Sequence, residues 1–419
     1  MHAVVPPPAA QTWHKRLGRH LLRFTLGCLL LLGPNLLFFL IWGWPDTPIP
    51  PIETATDDQF TADALPASHA DALMAALRDS RKQAGLASLS AAISFDGELQ
   101  WAGATGWADI ERAVPATIAS RYRTGSVAKP LTATALIRMV EAGRLGLDEP
   151  LSQYVNGLPA ELQPLTARLL ASHQAGVRHY SRIPSWWMGW HEAFSTTPYT
   201  SVADGLAIFV DDKLRFEPGT DFRYTTFGYS LLSRLMEGAS GMPFERILQQ
   251  QLFDPAGMKD TAVESAGPMP TREAFYQAAN GRYTAAYPIN SSAKIAGGGM
   301  VSTPSDLARL GQALLGDALV SGAGKAILFT PMALADGRMN PENYAIGWRV
   351  DNSVRLLGEN RPTLIIHHGG TQPGGAAFLM LLPEHGITVA VMSNSGTRAA
   401  REDVQETAYA LARKVIDQE

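Results

Sequence analysis

A serine three residues ahead of a lysine, in Thr124-Gly125-Ser126-Val127-Ala128-Lys129, pairs a nucleophile with a possible base. Ser126 follows a glycine and opens a run in which Leu131, Ala135, Leu136 and Met139 recur at helical spacing. On a helix Ser126 and Lys129 share a face, and Pro130 is tolerated because it falls in the first turn. A hydroxyl at a helix start also lies near N–H groups without a helical partner, which suits an oxyanion. An N-capping serine beside a solvated lysine has the same local sequence, so context must decide. A second Ser-x-x-Lys, Ser291 to Lys294, leads straight into Gly297-Gly298-Gly299, a poor helix.

Two tyrosines have a polar residue two places on: Tyr154-Val155-Asn156, in a loop-like stretch, and Tyr224-Thr225-Thr226. Tyr224 precedes FGYSLLSRLMEGASG, which reads as a buried helix, so it can stand at a helix mouth. Ile366-His367-His368-Gly369-Gly370 ends a strand-like run. Adjacent strand side chains point to opposite faces, so the two histidines cannot both line one site. That counts against a zinc pair, and His-Glu-x-x-His is missing. No metal and no cofactor is expected.

These residues need elements to hold them. Ala70 to Gly85 carries Leu73, Ala76 and Leu77 on one helical face with a glycine stop. LSAAISFDGELQWAGATG then predicts a hairpin turning at Asp96-Gly97. Near the other end, TLIIHHGG, AAFLMLLP and ITVAVMSN are strand-like, the last two joined by Glu384-His385-Gly386, and REDVQETAYALARKVI closes as a helix. Residues 130–290 look helical and loop-rich. Trp186, Trp187 and Trp190 cluster there, as a wall over a pocket or as insertion core. The pattern predicts an α+β fold: an antiparallel sheet flanked by terminal helices, with a mostly helical insertion at about 130–290.

Composition bounds the rest. The 419 residues are 46% hydrophobic and 18% charged, which excludes extensive disorder. The single cysteine, Cys28, excludes an intramolecular disulfide framework and cysteine-based zinc modules. The net charge of −4 hides an asymmetry: Lys15, Arg16, Arg19 and Arg23 precede any acid. The remainder is acidic, which argues against nucleic-acid binding. Phe24 to Trp44 carries no charged side chain, and its twenty-one residues span about 31 Å as a helix. Basic residues before it and Trp42 and Trp44 at its far end predict an uncleaved transmembrane anchor with a cytoplasmic stub over 1–45. Residues 46–68, rich in Pro, Thr, Asp and Ala, read as a linker, and the body as 69–415.

Taken together, the Ser-x-x-Lys, tyrosine and His-Gly elements resemble the serine β-lactamase-like hydrolases related to class C β-lactamases and penicillin-binding proteins. SHQAGVRHY (172–180) with YTTFGYSLL resembles in particular the mitochondrial β-lactamase-like serine protease subgroup and its bacterial relatives. GGGMVSTPSDLARLGQALL (297–315) and YAIGWRV (344–350) fit the same family. The resemblance implies a β-lactamase/transpeptidase-like fold with Ser126 as acylated nucleophile, Lys129 as general base and Tyr224 as proton relay. The N–H groups of Ser126 and Gly370 would hold the oxyanion. His367 would stand where the family has the first residue of Lys-Thr-Gly, followed by Gly369, and Thr226 where it has an asparagine. His173 and His179 are expected to fix a loop. With a histidine in place of the lysine, weak or no β-lactamase activity is expected, and hydrolysis of an amide, peptide or ester instead. The alternatives are a carboxylesterase and a non-hydrolytic penicillin-binding or sensor domain. The expected partners are a small-molecule or peptide substrate and the inner membrane, with the catalytic domain periplasmic.

Overall fold

The computed structural model describes residues 20–30, 33, 55–180, 192–264, 274–279, 282–396 and 398–417. Its centre is an antiparallel sheet built from both ends of the chain. Strands β1 (Asp58–Thr61), β2 (Ser88–Phe95), β3 (Glu98–Asp109), β4 (Arg349–Ser353), β5 (Thr363–Gln372), β6 (Gly375–Leu382) and β7 (Ile387–Ser393) lie in the order β1-β3-β2-β7-β6-β5-β4. Asp96 (φ 53°) and Gly97 (φ 83°) both take positive φ, which gives the β2–β3 hairpin its tight turn. The linker expected over 46–68 gives way at Asp58, where β1 pairs with β3 along the sheet edge. A four-residue edge strand with only one large apolar side chain, Phe60, leaves little alternation to read.

Alternation across the sheet makes two cores. One face of β5, β6 and β7 (Ile365, Phe378, Met380, Val389) packs beneath helices α1 (Ala67–Ala84) and α6 (Arg398–Ile416), through Leu73, Leu77, Val404 and Leu411. The other (Ile366, Leu379, Leu381, Ala390) packs on α2 (Ala128–Glu141) and α5 (Pro304–Leu315). Between α2 and α5 the described residues are mainly helix and loop, including α3 (Thr226–Ser240) and α4 (Ile295–Gly298). Short strands interrupt them: Ala262–Val263 pairs with Met300–Ser302, which also pairs with Tyr122–Arg123 ahead of α2, and Tyr276–Ala279 pairs with Arg282–Ala285.

Residues 20–30 are helical, and Leu21, Leu22, Phe24, Leu26, Leu29 and Leu30 are exposed. Among the described residues no helix is long and apolar enough to cross a membrane, and most of the expected anchor lies outside them. Trp186, Trp187 and Trp190 also lie outside the described residues.

Candidate active site

Ser126 sits in a 3-10 turn, Gly125–Val127, that runs directly into α2. Gly125 takes φ 49°, and a Cβ there would lie 2.5 Å from the Thr371 nitrogen, so the turn admits only glycine. One turn on, Lys129 is fully buried. Its Nζ lies 3.2 Å from Ser126 Oγ, 2.7 Å from the Gly297 carbonyl and 3.4 Å from Thr226 Oγ1. A neutral amine satisfies all three contacts: two N–H groups donate to Gly297 and Thr226, and the lone pair accepts from the Ser126 hydroxyl. Burial first, then the cations Arg349 and Lys294, hold Lys129 well below the usual lysine range. The solvated lysine that local sequence allowed is therefore absent.

Tyr224 stands one residue before the N-cap of α3. The cap, Thr225, accepts from the Gly228 N–H and donates to the Arg178 carbonyl. Two histidines fix this helix mouth: His173 Nδ1 accepts from the Thr225 N–H and His179 Nδ1 from the Thr226 N–H, each at 3.2 Å. His173 (φ 63°) also packs its ring 4.3 Å from that of Tyr224. The Tyr224 hydroxyl is pushed up to about 12 by burial, against the pull of Arg349 and a hydrogen bond with Ser126. It thus stays protonated at neutral pH and is poised to donate. Lys129 Nζ lies 4.6 Å from the centroid of its ring. Tyr154 is elsewhere, its hydroxyl accepting from the Gly146 N–H.

The strand histidines do alternate, but in the opposite sense to the expectation. His367 pairs across the ladder with Met380 and packs on Phe378, on the face covered by the terminal helices. Its Nε2 meets Asp351 at 2.8 Å. His368 is the residue on the Ser126 face. Its Nε2 lies 3.0 Å from the Tyr344 hydroxyl and 3.3 Å from Arg349. Burial, then Arg349 and Lys129, hold it well below the usual histidine range, so it is uncharged. Arg349 pairs with Glu342 and lies 5.4 Å from the centroid of the Tyr224 ring. Of the glycines, Gly369 faces Phe378 and Arg401 on the helix side, while Gly370 faces the turn. A Cβ on Gly370 would lie 2.0 Å from the Thr124 carbonyl and 2.8 Å from the Ser126 nitrogen. This close approach places β5 beside the nucleophile. The period of two could have found His368, because it lies two residues before the one glycine that must touch the turn.

A cleft of about 500 Å³ opens above Ser126, lined among others by His179, Tyr180, Tyr224, Thr226, Lys294 and Thr371. Thr226 links the cleft to the base through its contact with Lys129. Sequence reasoning missed His368, Arg349, Tyr180 and Lys294. Arg349 reaches the site from the edge strand; the stretch YAIGWRV contained it without pointing to a role at the site.

The β-lactamase family model matches residues 69–414. The human mitochondrial serine β-lactamase-like protein LACTB is 26% identical, over 81% of this chain and 75% of its own. Penicillin-binding protein 4* of Bacillus subtilis is 29% identical, over 71% of this chain and 66% of its own. Among solved structures, the D-amino acid amidase of Ochrobactrum anthropi superposes with a TM-score of 0.69 at 21% identity, covering 84% of this chain and 99% of that one.

Proposed function

This chain belongs to the β-lactamase family of serine hydrolases, and from that premise we propose that it hydrolyses an ester, amide or peptide through an acyl-enzyme on Ser126. The observation that carries the reading is the buried Lys129 amine at 3.2 Å from Ser126 Oγ, with the Tyr224 ring 4.6 Å from that amine and lining the same cleft. Neutral Lys129 takes the Ser126 proton as Oγ attacks the acyl carbon. The oxyanion forms where the turn and β5 are pressed together, so the N–H of Ser126 and the strand backbone at Gly370 and Thr371 are its donors. Tyr224 hands its proton to the leaving group and recovers it from the water that cleaves the acyl-enzyme, while protonated Lys129 returns its proton to Ser126 Oγ as that oxygen departs. His173 and His179 hold α3, and with it Tyr224 and Thr226, in register with Lys129.

On the nucleophile's face the strand carries neutral His368 beside Arg349, which is already paired with Glu342. Turnover of a β-lactam is therefore expected to be slow beside that of a simple acyl ester. The second reading, a sensor domain acylated without turnover, has the same residues and differs only in deacylation.

Residues 1–45 serve as a basic stub and single-pass inner-membrane anchor, with the body periplasmic behind a short tether. The exposed leucines of the helix at residues 20–30 support this. The test takes the full chain in detergent with a fluorophosphonate probe and Ser126→Ala as control. Labelling of the wild type alone is expected, and equal labelling of both proteins overturns the nucleophile. Labelling without hydrolysis of ester, amide or peptide panels would favour the sensor.

A further inference from the structure

The second Ser-x-x-Lys is not a stray match. Ser291 Oγ donates to Glu264 Oε2 at 2.9 Å, and Glu264 is paired with Arg123 at 2.6 Å in a site where both side chains are buried. With Glu264 engaged by these two, Lys294 turns from the same segment to the cleft wall. It is 6% exposed; its Nζ donates to the Ala193 carbonyl at 2.9 Å and lies 5.9 Å from the centroid of the Tyr180 ring. One carbonyl takes one of the three N–H donors an ammonium has. No Asp or Glu stands among the described residues lining the cleft, and Lys294 is the cation that does.

Desolvating an ammonium against a single carbonyl is costly, and a carboxylate delivered by a ligand offsets that cost. We propose that Lys294 is a specificity-determining residue: it takes the carboxylate of an acid-bearing acyl substrate, on the wall formed by Ala193, Phe194 and Tyr180 rather than on the strand. The inference rests on the serine hydrolase reading and narrows its substrate class to esters or amides with a second, anionic group. Burial, with Arg123 as the next cause and Glu264 opposing, brings Lys294 down to about 8, so most of it is charged at neutral pH. A carboxylate brought to it raises that value again.

The test compares two esters with one leaving group, 4-nitrophenyl butyrate and the mono-4-nitrophenyl ester of adipic acid, on the full chain in detergent. In the wild type the acid ester is expected to have the higher kcat/KM. In Lys294→Met that preference falls about tenfold, through KM, while butyrate turnover, read on the alkaline side of the acid limb that Lys129 sets, is retained. Lys294→Arg, which keeps charge and donor, restores the preference. In the unmodified protein, adipate is expected to inhibit butyrate turnover competitively and adipamide not to. An unchanged preference in Lys294→Met, or equal inhibition by adipate and adipamide, overturns the assignment. Equal loss of both esters in Lys294→Met, unrestored by arginine, shows a merely structural lysine and also overturns it. The underlying reading fails differently: Ser126→Ala would keep the wild-type rate, or the wild type would turn over neither ester.

Discussion

Replacing Arg349 by glutamine moves the pH at which the enzyme becomes active. The lysine must be neutral to accept the serine proton, so activity falls as pH drops through the Lys129 pKa. Lys129 Nζ and Arg349 Cζ lie 4.6 and 5.4 Å from the centroid of the Tyr224 ring, which caps their separation at about 10 Å. At that distance and an effective dielectric constant of about 20, two unit charges repel by about 1.7 kcal/mol. Glu342 neutralises part of the guanidinium, so roughly half a pH unit to one unit remains. Without the cation, protonated Lys129 becomes less unfavourable, its pKa rises, and the acid limb of kcat/KM moves to higher pH. Tyr224 also rises, but from about 12, beyond the assayed range. The profile is read with a neutral ester, because kcat/KM reports the free enzyme. Arg349→Lys keeps the charge and leaves the limb where it was. An acid limb unmoved or lowered in Arg349→Gln refutes the reasoning, as does an equal shift in Arg349→Lys.

Other outcomes follow from the same geometry. Tyr224→Phe removes the proton donor and costs about 10²- to 10⁴-fold in kcat with labelling of Ser126 retained, measured by turnover and gel fluorescence. Gly370→Ala drives a methyl into the Thr124 carbonyl, prising β5 from the turn; kcat falls about 100-fold or more, while circular dichroism checks that the fold survives. Lys129→Met removes a buried amine that is neutral when folded and charged when unfolded. Between its depressed folded pKa and the ordinary lysine value the unfolded chain binds one more proton, so wild-type stability rises with pH. The variant lacks that slope and is the more stable protein at the low end, as denaturant melts at pH 6 and 9 will report. His367→Lys leaves KM for carboxylate-bearing esters unchanged because the residue faces Phe378 and Asp351. A lowered KM would show that the ring reaches the cleft.

Period and punctuation made much of this molecule readable. Asp96-Gly97 announced a hairpin because only left-handed backbone closes so short a turn, and the apolar runs near residues 365, 378 and 390 became central strands buried on both faces. Ser126 and Lys129 come together because a turn and one helical step bring them there. What stayed hidden was set by tertiary packing. The choice between His367 and His368 turns on register against the Gly125–Val127 turn, and register is a property of the paired strands. Arg349 lies beyond the sheet's other labelled strands and more than 200 residues from the serine. Lys294 carried a visible motif, yet nothing local told that Glu264, not Lys294, would hold its serine.

The pairing of β2 with β7 sets a timetable for the enzyme. Ser94 lies across from Thr388 and Ser90 from Met392, and the Ser88 N–H donates to the Asn394 side chain 306 residues away. As the chain emerges in order, the first hairpin must wait for the last strand of the sheet before its open edge is covered. Gly370, which closes on the nucleophile's turn, belongs to the same late strands. A partly made chain therefore carries Ser126 and Lys129 without the backbone that would make them reactive. Assembly of the sheet acts as a built-in delay, holding hydrolysis off until synthesis of the body is almost complete.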